Sequence, residues 1–385
     1  MSEFKPYLHS AHIEGYKSIV SCDVTFKPGL NIIIGKNGTG KTNLLEGIKE
    51  TLNVKPAFLE READFGSKLV FIQGKDSPNA IVFGILNRGV LDAENLNIQN
   101  SLERIRVHAN STDFPGFAPF GNFLFKHSIP KSIPFLTNFE AGWSFRKGVV
   151  SKLYQDENDL NSITQLSQIV NQKWRSEKHE DIDGKSISNI LVQSFDELKD
   201  ELIPWIRAYT AITNMKVQEG WIDPGILNET YEAKGFRFLF EINGAYYPFQ
   251  NLSDGTKRIV LLIMEVCKSS HINFTLKGST IVSYVTSVEE PELGIHPHQL
   301  QKLMAFLKEQ SKNKQIILTT HSPQVLDILN KDELDRIIIA DFDPEKGSTF
   351  RHLDDKEIAN AQNFMSDMYL SDYWRFSDLE VDKVK

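Results

Sequence analysis

The sequence predicts an α/β fold in which both ends of the chain feed one sheet and a mainly helical lobe is inserted between them. Three observations carry this expectation. Strand-like alternation fills the first residues and returns from Phe236; apolar residues between them recur at helical spacing; and near Gly35 a glycine-rich turn joins a short apolar run to a helical pattern. Strand, turn, helix is the order in which sheets covered on both faces are assembled.

Composition narrows the classes. The chain has 385 residues, 41% hydrophobic and 24% charged, which is ordinary globular composition with length for two or three domains at about 150 residues each. No uncharged apolar run approaches the ~18 residues that a membrane helix needs. The opening MSEFKPYLHS lacks the apolar core of a secretory signal. Cys22 and Cys267 cannot build a disulfide framework or a four-cysteine zinc site and suit a reducing cytosol, so a cytoplasmic location is expected. With 43 Lys+Arg against 51 Asp+Glu, the net charge of −8 argues against a positive coat for nucleic acid, although a local basic groove remains compatible with it.

Element by element, alternation over His12–Ile19 and Cys22–Phe26 reads as two strands, and Leu30–Ile34 as a buried strand that Gly35 stops. Asn43–Ile48 opens a helix. Asp113–Gly148, rich in Phe, Pro and Gly, reads as loops and short strands. Leu160, Ile163, Leu166, Ile169, Val170 and Trp174, then Ile187, Ile190, Leu191, Leu198, Leu202, Ile203 and Ile206, predict two amphipathic helices in antiparallel contact. Neither sustains the heptad of a long coiled coil. Phe236–Ile242, Asn243-Gly244 and Ala245–Tyr247 predict a β-hairpin. Helix Ile259–Lys268, strand Thr280–Val288, helix His298–Ser311 and strand Gln315–Thr319 follow, then an edge strand Arg336–Ala340 with its turn at Asp341–Gly347. The domain boundaries expected are 1–85 with 236–350 for a split α/β body, 86–235 for the inserted lobe (mainly helical from about 158), and 351–385 for a C-terminal tail.

Four segments carry chemistry. Gly35-Lys36-Asn37-Gly38-Thr39-Gly40-Lys41-Thr42 satisfies G-x-x-x-x-G-K-[ST], the P-loop. Its glycines let backbone N–H groups surround phosphate oxygens, Lys41 reaches the β- and γ-phosphates, and the Thr42 hydroxyl meets Mg²⁺. Asn43 extends the loop into the helix. Leu252-Ser253-Asp254-Gly255-Thr256-Lys257-Arg258 precedes an apolar helix; read alone it is a helix cap as readily as a phosphate site, and both uses draw on free N–H groups. Glu289-Glu290-Pro291-Glu292 ends a strand, where carboxylates face the crevice that binds ligands in α/β sheets. One carboxylate can hold Mg²⁺ and the next can orient water. The strand is more polar than a buried strand of this kind ordinarily is. Thr319-Thr320-His321-Ser322-Pro323 sets an imidazole after another buried strand, within reach of a γ-phosphate. His296 and His298, separated by Pro297, do not have helical metal-ligand spacing.

Together, IEGYKSI (13–19), GKNGTGKTNLLEGI (35–48), LSDGTKR (252–258), EEPELGIHP (289–297) and TTHSP (319–323) resemble the ABC-type ATPase heads of the RecF, SMC and OLD families, above all the OLD-like AAA ATPases. The resemblance implies a P-loop NTPase with ATP and Mg²⁺ as cofactors. It makes Lys41 and Thr42 the Walker A phosphate and magnesium residues, and Glu289 and Glu290 the Walker B pair, with Glu290 as general base. Ser253, Asp254 and Gly255 become the signature loop that contacts ATP on a second subunit, and His321 the switch histidine. The glutamine of the Q-loop is left unassigned. A homodimer or higher even oligomer follows, with two ATPs between subunits.

Many OLD proteins continue into a Toprim nuclease. Asp341-Phe342-Asp343 superficially resembles the Toprim D-x-D, but 64 residues after His321 leave no room for that domain. The expectation is an ATPase that acts with a separate effector, such as a nuclease encoded nearby, in bacterial antiphage defence. A DNA-binding RecF- or SMC-like repair ATPase, with Lys17, Lys36, Lys152, Lys257 and Arg258 in a basic groove, and an ATP-binding scaffold with little turnover are the alternatives.

Overall fold

The computed structural model describes residues 7–52, 66–73, 79–85, 105–109, 141–146, 149–152, 161–176, 183–225, 230–267, 272–276, 279–283 and 285–377. In chain order the strands are β1 (Tyr7–Tyr16), β2 (Ile19–Thr25), β3 (Leu30–Ile34), β4 (Gly66–Gln73), β5 (Asn79–Ile85), β6 (Ile105–Ala109), β7 (Ala141–Arg146), β8 (Val149–Lys152) and β9 (Asn214–Gln218). They continue as β10 (Trp221–Pro224), β11 (Tyr231–Ile242), β12 (Ala245–Pro248), β13 (Ile272–Leu276), β14 (Ser279–Ser283), β15 (Val285–Glu289), β16 (Gln315–Thr320), β17 (Ile337–Asp343) and β18 (Gly347–His352). The helices are α1 (Lys41–Leu52), α2 (Asn161–Ser176), α3 (Gly184–Tyr209), α4 (Asp254–Cys267), α5 (Pro297–Ser311), α6 (Asp355–Phe364) and α7 (Leu370–Phe376).

The chain divides into two compact units: Met1–Ile129 with His271–Leu293 and Met304–Lys385, and Pro130–Ser270 with Gly294–Leu303. The split at 85 and 236 expected from sequence is a different partition. β11 crosses residue 236 as one strand, paired with β7 and β10 along one stretch and with β9 and β12 along the other, all members of the second unit.

The first unit is built on a ten-stranded sheet of order β15-β16-β3-β17-β18-β2-β1-β4-β5-β6. β15, β16, β3 and β17 are mutually parallel, and the remainder is antiparallel. β3, β15 and β16 are buried at every residue, as a strand covered on both faces requires. α1 follows the glycine turn because Leu44, Leu45 and Ile48 share one face, which joins Ile13, Tyr16, Ile33 and Ile338 in the core. Gly47 permits that approach, since a Cβ there would sit 2.7 Å from the Ile13 side chain.

Three expectations change. Thr280–Val288 is not one strand: β14 pairs with β13 in a separate two-stranded ribbon, and only β15 joins the main sheet. β17 is not an edge, because β3 flanks it in parallel and β18 antiparallel. Its Asp341 and Asp343 lie within the strand rather than in a turn. The expected C-terminal tail is folded through Phe376: α6 and α7 bury Ala361, Leu370 and Trp374, while residues 378–385 lie outside the description.

In the second unit, β10, β11, β7 and β8 form an antiparallel sheet that β9 and β12 extend along β11. Asn243 and Gly244 make the expected hairpin, both in the left-handed region at φ 52° and 78°. The two helices predicted from periodicity are α2 and α3, which pack together. Edge-to-face rings knit them to the sheet: Phe145 with Trp174, Trp143 with Phe195, and Phe195 with Phe238. The unit therefore combines an antiparallel sheet with these two helices. Leu160 and residues 113–140 of the Phe/Pro/Gly-rich segment lie outside the described residues.

Candidate functional site

β3 delivers the P-loop to the carboxyl edge of the parallel strands. Gly35 has no room for a side chain, since a Cβ would fall 2.1 Å from the Ala340 carbonyl oxygen. Its N–H donates to the Thr320 carbonyl oxygen at 3.3 Å, so the loop is clamped between β16 and β17. Gly38 and Gly40 take φ +86° and +88°, angles that turn backbone amides toward one side. Lys36, Asn37 and Gly38 are exposed.

The buried Lys41 donates to the carbonyl oxygens of Gly35 and Lys36 at 2.6 and 2.7 Å, and the Thr39 hydroxyl donates to the Lys36 oxygen at 3.0 Å. These bonds brace the loop from within. Asn43 is engaged on the other side: its amide donates to Ser18 Oγ at 2.6 Å, and Ser18 Oγ lies 2.6 Å from Ser348 Oγ. Sequence reasoning missed Ser348 and gave Ser18 no role beyond its place in IEGYKSI. Thr42 sits half-buried in the first turn of α1.

Strand register sets the carboxylates. Glu289 pairs with Thr319, which pairs with Ile33, so Glu289 ends two strand spacings, roughly 10 Å, from the P-loop strand. Glu289 is buried at 2% exposure. Glu290 leaves the strand at φ +43°, a costly angle for a side chain bearing a Cβ, on the order of 1–3 kcal/mol. Its N–H donates to the Thr319 oxygen at 2.7 Å and its carbonyl accepts from Leu293 N at 3.1 Å, which holds the tight turn. His321 leaves β16 beside it, with Nδ1 3.8 Å from Glu290 Oε1.

Glu292 is a site residue to which sequence reasoning assigned no task. Its Oε1 accepts from the Thr320 hydroxyl at 2.6 Å and from the His321 N–H at 3.2 Å, and lies 3.5 Å from His321 Nδ1. The only sequence signal was its place in Glu-Glu-Pro-Glu.

The first unit thus gathers the P-loop, Glu289, Glu290, Glu292 and His321 at one sheet edge. Ser253, Asp254 and Gly255 belong to the second unit. There Ser253 caps α4: its Oγ accepts from Thr256 N at 3.3 Å and its carbonyl from Lys257 N at 2.8 Å. Asp254 is exposed and paired with Lys257 at 3.0 Å.

The oxygen set suits Mg²⁺, a hard cation that takes one or two protein oxygens and completes its shell from phosphate and water. Among the described residues no group of three or more His, Cys, Asp or Glu is placed to hold a metal. Thr42, in the first turn of α1, and the buried Glu289 are the candidates for that sparser demand. No described helix is long and apolar enough to cross a membrane.

A family model described as "AAA domain, putative AbiEii toxin, Type IV TA system" matches residues 30–327, well over half of the chain. The chain is 24% identical over 331 residues to the Septu protein PtuA of Bacillus thuringiensis, covering 84% of this chain and 73% of that one. Over 101 residues it is 29% identical to the "Retron Vc95 probable ATPase" of Vibrio cholerae, covering 26% and 20%. Over 53 residues it is 42% identical to the DNA replication and repair protein RecF of Desulfitobacterium hafniense, 14% of each chain. Among solved structures, an SMC head bound to the C-terminal winged-helix domain of ScpA superposes with a TM-score of 0.50 at 12% identity, over 92% of this chain and 99% of that one. The shared feature is the fold, a mixed α/β P-loop head.

Proposed function

The chain belongs to this AAA-domain family, and from that premise we propose that it is an ATPase acting as an ATP-sandwiched homodimer. In that role it is the regulatory subunit of a bacterial antiphage system whose effector, such as a nuclease, is a separate chain. The observation that carries the reading is the P-loop, with both left-handed glycines, beside His321 and separated from the Glu289–Glu292 turn by the one intervening strand β16. The OLD-like character rests on EEPELGIHP and TTHSP. The defence role rests on the resemblance to such ATPases and on the company of Septu and retron proteins.

In this mechanism the backbone N–H groups of residues 36–42 and Lys41 bind the phosphates. Thr42 and Glu289 would hold magnesium, which would supply positive charge to offset that of the phosphates. Glu290 accepts a proton from the attacking water and orients it for in-line attack on the γ-phosphorus. His321 donates a hydrogen bond to the γ-phosphoryl group as charge shifts toward the leaving oxygen. Ser253, Asp254 and Gly255 of the second subunit complete each site, so assembly and ATP occupancy are linked through differential affinity.

Glu290→Gln tests the proposal. The amide keeps the shape and loses the base, so turnover should fall by about 10²–10⁴, while ATP stays bound and the dimer persists by light scattering. Native turnover in that variant would refute the base assignment. A wild type that releases no phosphate above the protein-free background would make the protein an ATP-binding scaffold.

A further inference from the structure

Glu292 has no place in the mechanism above, yet its hydrogen bonds join the two loops that supply the mechanism's base and its histidine. β15 and β16 end side by side, but nothing in a parallel strand pair fixes the loops beyond the last ladder bond. Here the turn at Glu290, with Leu293 N–H closing back onto the Glu290 carbonyl, brings the Glu292 side chain across to residues 320–322. Its Oε1 takes the Thr320 hydroxyl at 2.6 Å and the His321 N–H at 3.2 Å. The same Thr320 Oγ accepts from Ser322 N at 2.9 Å. Three consecutive residues around the histidine are therefore tied, directly or through one hydroxyl, to a single carboxylate oxygen.

The link is shielded. Thr320 is fully buried and the Glu292 side chain is 9% exposed, so water competes weakly for these bonds and each is worth more than at a surface. Glu290 and His321 approach to 3.8 Å from opposite loops, and the Glu292 bonds end on the His321 N–H and on the hydroxyl just before it.

We propose that Glu292 is a positioning residue: its carboxylate ties the Glu290 turn to the His321 loop and so holds the base and the histidine in one geometry. The inference rests on the ATPase reading. It predicts a defect in turnover that is transmitted through His321, with no defect in nucleotide binding.

Steady-state hydrolysis and binding of a non-hydrolysable ATP analogue test this on the full chain. Glu292→Ala should lower kcat by about 10²-fold, the scale of a small misplacement at a reacting centre, with KM and analogue affinity little changed. Glu292→Gln should restore most of the rate, because its amide oxygen can accept the same two bonds. On a His321→Ala background, Glu292→Ala should cost no more than about twofold, since residues acting as a unit are not additive. Thr320→Val, nearly isosteric, removes one donor and should lower kcat by about tenfold; it reads the same link if Glu292→Ala does not fold. Native kcat in Glu292→Ala or Thr320→Val, a Gln variant as slow as Ala, full additivity with His321→Ala, or a parallel loss of analogue affinity would each overturn the inference. A wild type that binds ATP without turning it over would fail the ATPase reading itself, and this inference with it. A wild type that turns over normally beside a normal Glu292→Ala would fail the inference alone.

Discussion

Gly38 and Gly40 hold nearly the same backbone angle two residues apart, but their surroundings differ. A Cβ on Gly38 would meet nothing within 4 Å, whereas one on Gly40 would lie 2.1 Å from Ser348 Oγ, 2.7 Å from Ser348 Cβ and 2.8 Å from Ser18 Oγ. Rotating the serine moves its hydroxyl but not its Cβ, so the clash cannot be relieved locally. Gly38→Ala should therefore cost only left-handed strain, about 1–2 kcal/mol. Gly40→Ala adds overpacking against a fully buried residue, for a total of about 2–5 kcal/mol. Urea unfolding of the two variants separates strain from clash. Equal losses would mean that the Ser18–Ser348 wall yields.

β15, which ends at the Glu289–Glu292 turn, is a polar strand buried at every residue. Thr286 and Ser287 are 6% and 2% exposed, and Thr286 Oγ1 is buried without a hydrogen-bond partner among the described residues. A buried hydroxyl in that state costs about 1–3 kcal/mol of desolvation. Thr286→Val, which keeps the branched shape, should raise stability by about 1 kcal/mol and leave ATP binding unchanged. A loss of stability on calorimetric melting would mean that the hydroxyl has a bonded role.

The same element shows what could be read from sequence. The P-loop is contiguous and its geometry local, so Gly35, Gly38, Gly40 and Lys41 could be placed from residue types alone; the Asn243-Gly244 hairpin is local in the same sense. Strand partners are not. Thr280–Val288 is a run of good β-formers, and nothing within it reveals that Ser283 pairs with Ile272 while Val285 pairs with Gln315. β17 looked like an edge because its neighbour β3 lies some 300 residues earlier. Glu292 was unreadable for a related reason: its meaning lies in Thr320 and His321, 28 and 29 residues on.

The last described helices also join distant parts of the chain within the first unit. Asp327 sits just after the His321 loop and accepts from both the N–H and the hydroxyl of Ser371, each at 2.8 Å, at the start of α7. Lys331 Nζ reaches Ser366 Oγ at 2.7 Å, and the Gln362 amide donates to the Lys331 oxygen at 2.8 Å. Burial pushes the Asp327 carboxyl above its usual range and nearby Asp372 adds to the rise, while the Ser371 bonds and Arg375 oppose it without cancelling it. The folded protein therefore keeps this proton at pH values where the unfolded chain has released it. Its contribution favours folding at low pH and declines as pH rises from the ordinary aspartate value, about 3.9, through the raised folded one. Asp327→Asn preserves an oxygen for the Ser371 N–H, and the Ser371 hydroxyl can turn to accept from the amide, but the site no longer titrates. Other groups largely cancel when variant and wild type are compared at one pH. The variant should thus gain stability relative to wild type as pH rises from about 4 through the raised value, read as a shift in urea midpoint at each pH. A difference that grows toward acid would mean that the Ser371 bonds outweigh burial and hold the carboxylate charged, and one that stays constant would mean that the two cancel.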